Sequence, residues 1–321
     1  MKILILLPNW LGDAVMATPA IEALCTVYPN AELTLVGSFV SVEALNHHPQ
    51  CRRHYVDETK KGGNRFVNTY RFAKELGAHD LAITFRNQLH SSLLLFWSGT
   101  PITAGRHSWH ASFLLKHAIK PIHPSHLVEQ YRDIAQSLTP TPLVIDNLKL
   151  HLPPHRYDRP TLGINPGATY GSAKRWYPEK FAEVARFFAD RYDIVIFGGP
   201  NEVEMANDIQ SRLEGIALSN MAGKTSVREL CSMLGGLDLF ITNDSGPMHV
   251  AAAYQVPTVA IFGPTRHLET SQWHNEKSVI VRHDMECAPC MKRECPLKHH
   301  ECMKSIRADE VIEAAEKICL K

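Results

Sequence analysis

The feature that most constrains the fold is a continuous aliphatic strand that leads through a loop of small residues into an amphipathic helix. It opens the chain as KILILLPNWLGDAVMATPAIEAL and returns in the second half as TLGINPGATYGSAKRWYPEKFAEVARFFADR. We predict further strands at ELTLVGS and DLAITF, and later at DIVIFGG, DLFITND and TVAIFGP. Aliphatic strands separated by helices are typical of parallel sheets covered on both faces. The sequence therefore predicts an α/β protein with two doubly wound domains.

The stretch between the halves is rich in proline, with prolines at 140, 142, 153, 154 and 160. Because proline interrupts regular structure, we predict the boundary there, giving domains 1–155 and 156–321. Ligands of doubly wound sheets bind beyond the carboxyl ends of the strands, and two such sheets facing each other would form a cleft. Functional residues are therefore expected in the loops that follow strands.

Composition predicts an ordered globular protein, since 45% of the 321 residues are hydrophobic and 21% are charged. The sequence has no apolar run of the roughly 18 residues that span a bilayer. Its first strand also lacks the longer apolar region and small-residue cleavage site of a signal peptide. We therefore expect a cytoplasmic protein.

Positive charge is concentrated in the first half, although the net charge is only +1. Residues 46–120 contain eleven Lys or Arg and four Asp or Glu. Such an excess is compatible with an ordinary solvated face or with an anionic partner. No zinc finger, aromatic RNA-binding signature or basic helical run is present, so a phosphorylated lipid is favoured over nucleic acid.

Asp13 is the acidic residue of LPNWLGDAVMATP, directly after Gly12, where the first strand gives way to a helix. Two interpretations compete at this position. The carboxylate can cap the helix, or it can serve as the base of an active site.

The segment LFITNDSGPMHVAAAYQVPTVAIFG predicts a strand, a tight turn and a helix. Asp244 and Ser245 are capping residue types, Gly246 permits close backbone approach, and Pro247 suits the first helical position. The helix end would offer free amides and a positive dipole to a diphosphate, although any well-capped helix after a strand would look similar. His249 lies in the first turn and can face either the ligand or the core.

Lys174 and Arg175 lie in the loop of NPGATYGSAKRWYPEKF, before a helix predicted to begin at Pro178. A cation there can neutralise a leaving phosphate, or it can be a solvated loop lysine. The loop is not a P-loop, and no G-x-G-x-x-G follows the first strand, so a nicotinamide or flavin dinucleotide is not expected. In FGGPNEVEMAN, Glu202 and Glu204 fit either ribose binding or a helix N-terminus.

Four cysteines lie close together in CAPCMKRECPLKHHEC: Cys287, Cys290, Cys295 and Cys302. The first pair has a C-x-x-C spacing that can bind zinc, but the second pair is separated by six residues instead of two to four. A structural group of reduced thiols is the preferred interpretation, with zinc as the alternative. Disulfides are disfavoured in a reducing cytoplasm.

Three segments carry a family resemblance: LPNWLGDAVMATPAIEAL, NPGATYGSAKRWYPEKF, and TNDSGPMHVAAA followed by TVAIFGPT. Together, and in this order, they resemble the ADP-heptose:lipopolysaccharide heptosyltransferases, the ninth family of glycosyltransferases. The resemblance covers nearly the whole chain. NWLGDAVM and CAPCMKRECPLKHHECM are more similar to the members that add the second inner-core heptose (heptosyltransferase II) than to those that add the first.

The resemblance implies the GT-B architecture, in which two Rossmann-like domains with mostly parallel sheets face each other. The N-terminal domain would bind the acceptor and the C-terminal domain the ADP-sugar donor. Transfer would invert the anomeric configuration, with no metal at the reaction centre and no cofactor. The expected partners are ADP-heptose and an inner-core acceptor built on Kdo-lipid A, with peripheral contact at the cytoplasmic face of the inner membrane.

Three other functions stay open at this point. They are transfer of the first heptose to Kdo-lipid A, transfer from another nucleotide sugar, and a non-catalytic nucleotide-binding module. A binding module would have no need of a carboxylate such as Asp13 in the opposite domain.

The resemblance also implies roles for individual residues. Asp13 resembles the catalytic base, and Asn9 and Gly12 belong to the same acceptor-side loop. In the second half, Lys174 would bind the donor diphosphate, and Thr169 lies in the loop that precedes this lysine. Glu202 would bind the ribose, with Glu204 as the alternative. The remaining donor-binding positions are the D-[ST]-G-x-x-H residues Asp244, Ser245, Gly246 and His249. Because like charges repel, Asp244 is expected to bond the sugar, the ribose or the helix amides instead of the phosphates.

Overall fold

The computed structural model describes residues 1–122 and 124–319, and the chain divides into two compact units after His151. Each unit contains one parallel sheet with helices between successive strands. This confirms the predicted α/β class and its two doubly wound domains. No helix among the described residues is long and apolar enough to cross a membrane.

The first unit has a six-stranded sheet in the order β3-β2-β1-β4-β5-β6, with all pairings parallel. Its strands are β1 Lys2–Leu6, β2 Glu32–Gly37, β3 Cys51–Val56, β4 Leu81–Thr84, β5 Ile102–Arg106 and β6 His117–Ile119. Its helices are α1 Leu11–Met16, α2 Thr18–Val27, α3 Phe39–Leu45, α4 Arg65–Leu76, α5 Leu89–Ser98 and α6 Leu127–Gln136.

The second unit has a six-stranded sheet in the order β12-β11-β10-β7-β8-β9, again parallel throughout. Its strands are β7 Thr161–Asn165, β8 Asp193–Ile196, β9 Leu218–Asn220, β10 Leu239–Asn243, β11 Thr258–Ile261 and β12 Ser278–Val281. Its helices are α7 Pro178–Phe188, α8 Val203–Ser211, α9 Val227–Gly235, α10 Gly246–Ala253, α11 His267–Thr270, α12 Glu301–Lys304 and α13 Ala308–Cys319.

The strands predicted from aliphatic runs are the buried central ones. Every residue of β7 and β10 is buried, and β1 is buried after its first residue. The predicted helix start at Pro178 is confirmed, and no helix or strand occupies residues 137–160.

The strand orders locate where each sheet can bind a ligand. Chain direction across the sheet reverses between β1 and β4 in the first unit, and between β7 and β10 in the second. The loops after these strand pairs diverge and leave a crevice at the carboxyl edge of the sheet. Asp13 follows β1, Lys174 follows β7 and Asp244 follows β10, so these three residues lie in loops of that kind.

Candidate active site

A buried ion pair lies at the β7–β10 crevice of the second unit. Lys174 Nζ is 2.5 Å from Asp244 Oδ2, and the two side chains are only 13% and 5% exposed. Thr265 Oγ1 donates a hydrogen bond to the same carboxylate oxygen at 2.5 Å. Sequence reasoning predicted both charged residues but missed Thr265 and the pairing itself. The pair holds the lysine ammonium at the mouth of the crevice.

Asn243 fixes the two loops to each other. Its Oδ1 accepts a hydrogen bond from the Trp176 amide at 3.1 Å, and its Nδ2 donates to the Pro166 carbonyl at 2.6 Å. On the neighbouring strand, Asn165 Nδ2 donates to Ser245 Oγ at 3.3 Å. These bonds satisfy buried polar groups and hold the Lys174 loop in register with the Asp244 turn.

The amino end of α10 completes this edge. Ser245 is its N-cap residue, Gly246 its first helical residue, and Pro247 follows within the first turn. The first amides of a helix lack intrahelical partners and carry the positive end of its dipole, as an anion site requires. His249 is buried, whereas Thr169 is exposed in the loop before Lys174.

The two glutamates after β8 differ in their surroundings. Glu202 is buried, and its Oε2 accepts a hydrogen bond from the Gly199 amide at 2.7 Å. Its carboxylate lies against Gly167, where an added Cβ would come within 2.0 Å of Glu202 Cδ. Glu204 is exposed on α8. Only the first carboxylate therefore adjoins the loop that follows β7.

The Cys-rich segment, residues 285–302, packs against the Lys174 loop. Arg293 O accepts a hydrogen bond from the Ala173 amide at 3.0 Å, and a Cβ on Gly171 would lie 2.2 Å from the same oxygen. Tyr170 donates to the Met291 carbonyl at 2.8 Å, and Lys174 Nζ lies 4.8 Å from the centre of the Tyr170 ring. The segment thus braces the loop that carries the lysine.

The four cysteines of this segment line one small cavity and are free thiols. Among the residues that the structure describes, the group of side chains placed to hold a metal ion lies elsewhere, at Glu22, His48 and His151. Burial, reinforced by the other three sulfurs, raises the pKa of Cys302 to about 11. Backbone hydrogen bonds, the first of them from His300, lower the pKa of Cys295 in the same group. The reduced-thiol interpretation therefore stays a prediction, with zinc as the alternative.

In the first unit, Asp13 is the third residue of α1, and Trp10 is the N-cap residue. Asp13 is therefore not at the N-cap position, and its half-buried side chain lies in the first turn. Burial raises the pKa of Tyr131 well above its usual value, the Asp13 charge raises it further, and Arg106 opposes the rise. The carboxylate thus shares its electrostatic environment with a phenol of α6 and a cation of β5.

The loop between β1 and Asp13 is held by two serines at the start of α3. Ser41 Oγ donates to the Pro8 carbonyl at 2.5 Å, and Ser38 Oγ donates to the Asn9 carbonyl at 2.7 Å. Gly12, in the first turn of α1, is buried. These contacts give the predicted acceptor-side loop a fixed backbone on a rigid strand.

Arg86 follows β4, and the sequence alone assigned it no role beyond its positive charge in the basic stretch at residues 46–120. The side chain is buried, donates to the Leu7 carbonyl at 2.6 Å and lies 2.5 Å from Asp57 Oδ2. Burial alone would raise the pKa of Asp57, but Arg86 and hydrogen bonds from Thr59 hold it below its usual value. Arg86 is therefore neutralised internally and contributes little to the positive field of this unit.

A second polar cluster, Glu22 with His48 and His151, has ligand atoms within 4.8 Å of one another. The Gln50 amide donates to His48 Nδ1 at 3.1 Å, so the proton of a neutral His48 is on Nε2, which faces Glu22 Oε1 at 3.2 Å. Lys149 Nζ lies 3.1 Å from the other carboxylate oxygen. A protonated nitrogen and an ammonium disfavour a metal ion, and the arrangement is that of an ion-pair network.

Comparison with solved structures identifies the fold. The fold matches "Structure of E. coli ADP-heptose lps heptosyltransferase II" with a TM-score of 0.81 and 24% identity, covering 100% of this chain and 99% of the other. It also matches a family 9 glycosyltransferase of Veillonella parvula with a TM-score of 0.89 and 24% identity, covering 99% and 97%. The two doubly wound units therefore have the GT-B fold.

The sequence defines the family more narrowly. Residues 69–301 match the profile "Glycosyltransferase family 9 (heptosyltransferase)". Lipooligosaccharide heptosyltransferase 2 of Campylobacter jejuni is 39% identical over 99% of this chain and 98% of that protein. The chain belongs to glycosyltransferase family 9, and this confirms the family predicted from its three motifs.

Proposed function

We propose that this protein transfers L-glycero-D-manno-heptose from ADP-heptose to the heptose of the lipopolysaccharide inner core, the reaction of heptosyltransferase II. The observation that carries the proposal is the 39% identity, over almost the full length of both chains, to an enzyme named lipooligosaccharide heptosyltransferase 2. The fold match to heptosyltransferase II of E. coli agrees with it.

The second unit would bind the donor. Lys174 Nζ keeps hydrogen-bonding capacity beyond its contact with Asp244, because an ammonium has three donors. Together with the amides of Ser245 and Gly246, it would stabilise the negative charge that develops on the departing diphosphate. Asp244 would act through Lys174 as a positioning residue, and Glu202 would accept hydrogen bonds from the ribose hydroxyls.

The first unit would bind the acceptor and supply the base. Asp13 would take the proton from the acceptor hydroxyl as that oxygen attacks the anomeric carbon from the face opposite ADP. The new glycosidic bond forms as the bond from that carbon to the diphosphate oxygen breaks, so the configuration inverts. Asn9 and Gly12 would shape the backbone at which the hydroxyl is placed.

The acceptor's chemistry sets where the reaction occurs. Kdo-lipid A is anchored in a membrane by its acyl chains and carries phosphates and acidic sugars. We therefore propose that the protein works peripherally at the cytoplasmic face of the inner membrane. The basic stretch at residues 46–120, with Arg86 set aside, would favour the anionic acceptor.

The test is a transfer assay with purified protein, ADP-heptose and two defined acceptors, one that carries a single heptose and one that carries none. We expect product only from the acceptor with one heptose. Product from the heptose-free acceptor alone would assign the first heptosyl transfer instead. Turnover only with a different nucleotide sugar would refute the donor, and ADP binding without any transfer would indicate a binding module.

A further inference from the structure

The connection from β5 to α6 exposes three large apolar side chains. Trp109 is 90% exposed, Phe113 is 79% exposed and Ile122 is 79% exposed. We call these residues, with the exposed Lys116 and Lys120, the Trp109 surface. Isolated exposed apolar residues are common, but a tryptophan and a phenylalanine so fully solvated within five residues require an explanation.

Local structure holds the two aromatic residues outward. The Ser112 amide and hydroxyl both donate to the Ser108 carbonyl, at 3.1 Å and 2.6 Å, and close a helical turn. Trp109 and Phe113 lie four residues apart in and beside this turn, and both side chains face solvent. Leu114 and Leu115, which follow the turn, are buried, and their burial anchors the turn. The aromatic side chains are therefore presented by an ordered turn.

The sheet topology places this surface at the functional edge of the first unit. β5 and β6 are parallel neighbours that end at Arg106 and Ile119. Trp109 and Ile122 each follow one of these ends by three residues. They therefore lie towards the carboxyl edge of the sheet, as does the loop after β1 that carries Asp13.

The charge along this stretch of the chain has one sign. The sequence contains no Asp or Glu between Asp80 and Glu129, whereas the exposed Lys116 and Lys120 lie directly before and directly after β6. Aromatic side chains favour the boundary between acyl chains and headgroups, and lysines near a membrane favour anionic lipids. Exposed aromatic and cationic groups on one stretch of chain complement a surface that is both apolar and negatively charged.

We propose that the Trp109 surface docks this protein on an anionic lipid bilayer. Trp109, Phe113 and Ile122 insert at the headgroup boundary, and Lys116 and Lys120 pair with lipid phosphates. The proposal rests on the proposed function for its purpose, since docking by this edge would bring the Asp13 loop to a membrane-anchored acceptor. Docking itself requires neither donor nor acceptor and can be measured without them.

The experiment is vesicle co-sedimentation of the full chain with phosphatidylcholine alone and with phosphatidylcholine containing phosphatidylglycerol. We expect binding to the anionic vesicles only. The double variant W109A/F113A should reduce the partition coefficient at least about tenfold, because two aromatic anchors are lost. K116Q/K120Q should also weaken binding, by a factor that shrinks as salt is raised. F187A, a change at a half-exposed aromatic residue of the second unit, is the matched control and should bind as the wild type.

Equal partition of W109A/F113A and wild type would overturn the proposal. The proposal would also be overturned if sedimentation velocity showed that the wild type self-associates and that W109A/F113A does not. The surface would then bind a second copy of the chain. Transfer to a water-soluble, acyl-free acceptor separates this proposal from the proposed function. W109A/F113A should retain that activity, and absence of transfer in the wild type would refute the function while leaving the vesicle result to stand.

Discussion

Replacing Lys174 by methionine tests the buried ion pair and its role in donor binding together. At 2.5 Å and an effective dielectric constant of about 20, the gross attraction between the two charges is about 6 to 7 kcal/mol. Most of this is offset by the cost of removing both charges from water. Removal of the lysine alone leaves the Asp244 carboxylate buried with the Thr265 hydroxyl as its remaining described partner at that oxygen. We therefore expect a loss of about 3 kcal/mol in the free energy of unfolding.

The double variant K174M/D244N removes both charges. Thr265 can still donate to the new amide oxygen, so we expect the free energy of unfolding to return to within about 1 kcal/mol of the wild type. ADP binding should behave differently. Both variants lack the cation, and the loss of a charge-assisted hydrogen bond should weaken ADP affinity about 10- to 100-fold in each.

Urea unfolding and titration calorimetry measure the two effects separately. The control is K317M, because Lys317 and Glu313 form a 2.7 Å pair that is 69% and 68% exposed, and such pairs contribute little. A double variant that stays as unstable as K174M would refute the ion-pair argument. ADP affinity that recovers in the double variant would refute the assignment of Lys174 to the diphosphate.

Three further predictions concern other residues of the chain. E202Q should weaken ADP binding about tenfold, because the buried carboxylate loses its charge, whereas E204Q, at the exposed neighbour, should leave ADP binding unchanged. If calorimetry shows the opposite order, Glu204 and not Glu202 is the ribose-binding residue. The ion-pair network keeps the pKa of Glu22 far below 4.5 despite partial burial. The ionised Glu22 carboxylate therefore stabilises the folded state above pH 4.5, and this stabilisation is lost as the pH falls below that value. As the solution is acidified, the free energy of unfolding should therefore fall less steeply for E22Q than for the wild type. Parallel curves for the two proteins would contradict the network. Elemental analysis of the purified protein should find no stoichiometric metal, and one equivalent of zinc would overturn the reduced-thiol interpretation of the Cys-rich segment.

The centre of each sheet and the position of the loops could be predicted from sequence, because a strand buried on both faces is a continuous aliphatic run. β3, with the sequence CRRHYV, could not be predicted this way. It is an edge strand with an exposed, polar pattern, and its place in the sheet depends on pairing with β2. The three-residue β6 is an edge strand of the same kind, too short to show a pattern.

The candidate residues could be named from the sequence, but their contacts could not. Lys174 and Asp244 are 70 positions apart, and only the adjacency of β7 and β10 makes them partners. Arg86 and Asp57 follow β4 and β3, which are separated by two strands, and they meet at the carboxyl edge of the first sheet. Glu202 differs from Glu204 in its burial against Gly167, which no spacing rule contains.

The most direct test of the account is the turnover of D13N in heptose transfer to the acceptor that carries one heptose. We expect a fall of at least about 100-fold in turnover, because a general base is lost, with ADP affinity unchanged. D80N is the matched control: Asp80 accepts a hydrogen bond from the Lys2 amide at 2.7 Å, at the amino edge of the same sheet, and its loss should leave turnover intact. A D13N protein that is folded, binds ADP and turns over within a few-fold of the wild type would contradict the central claim.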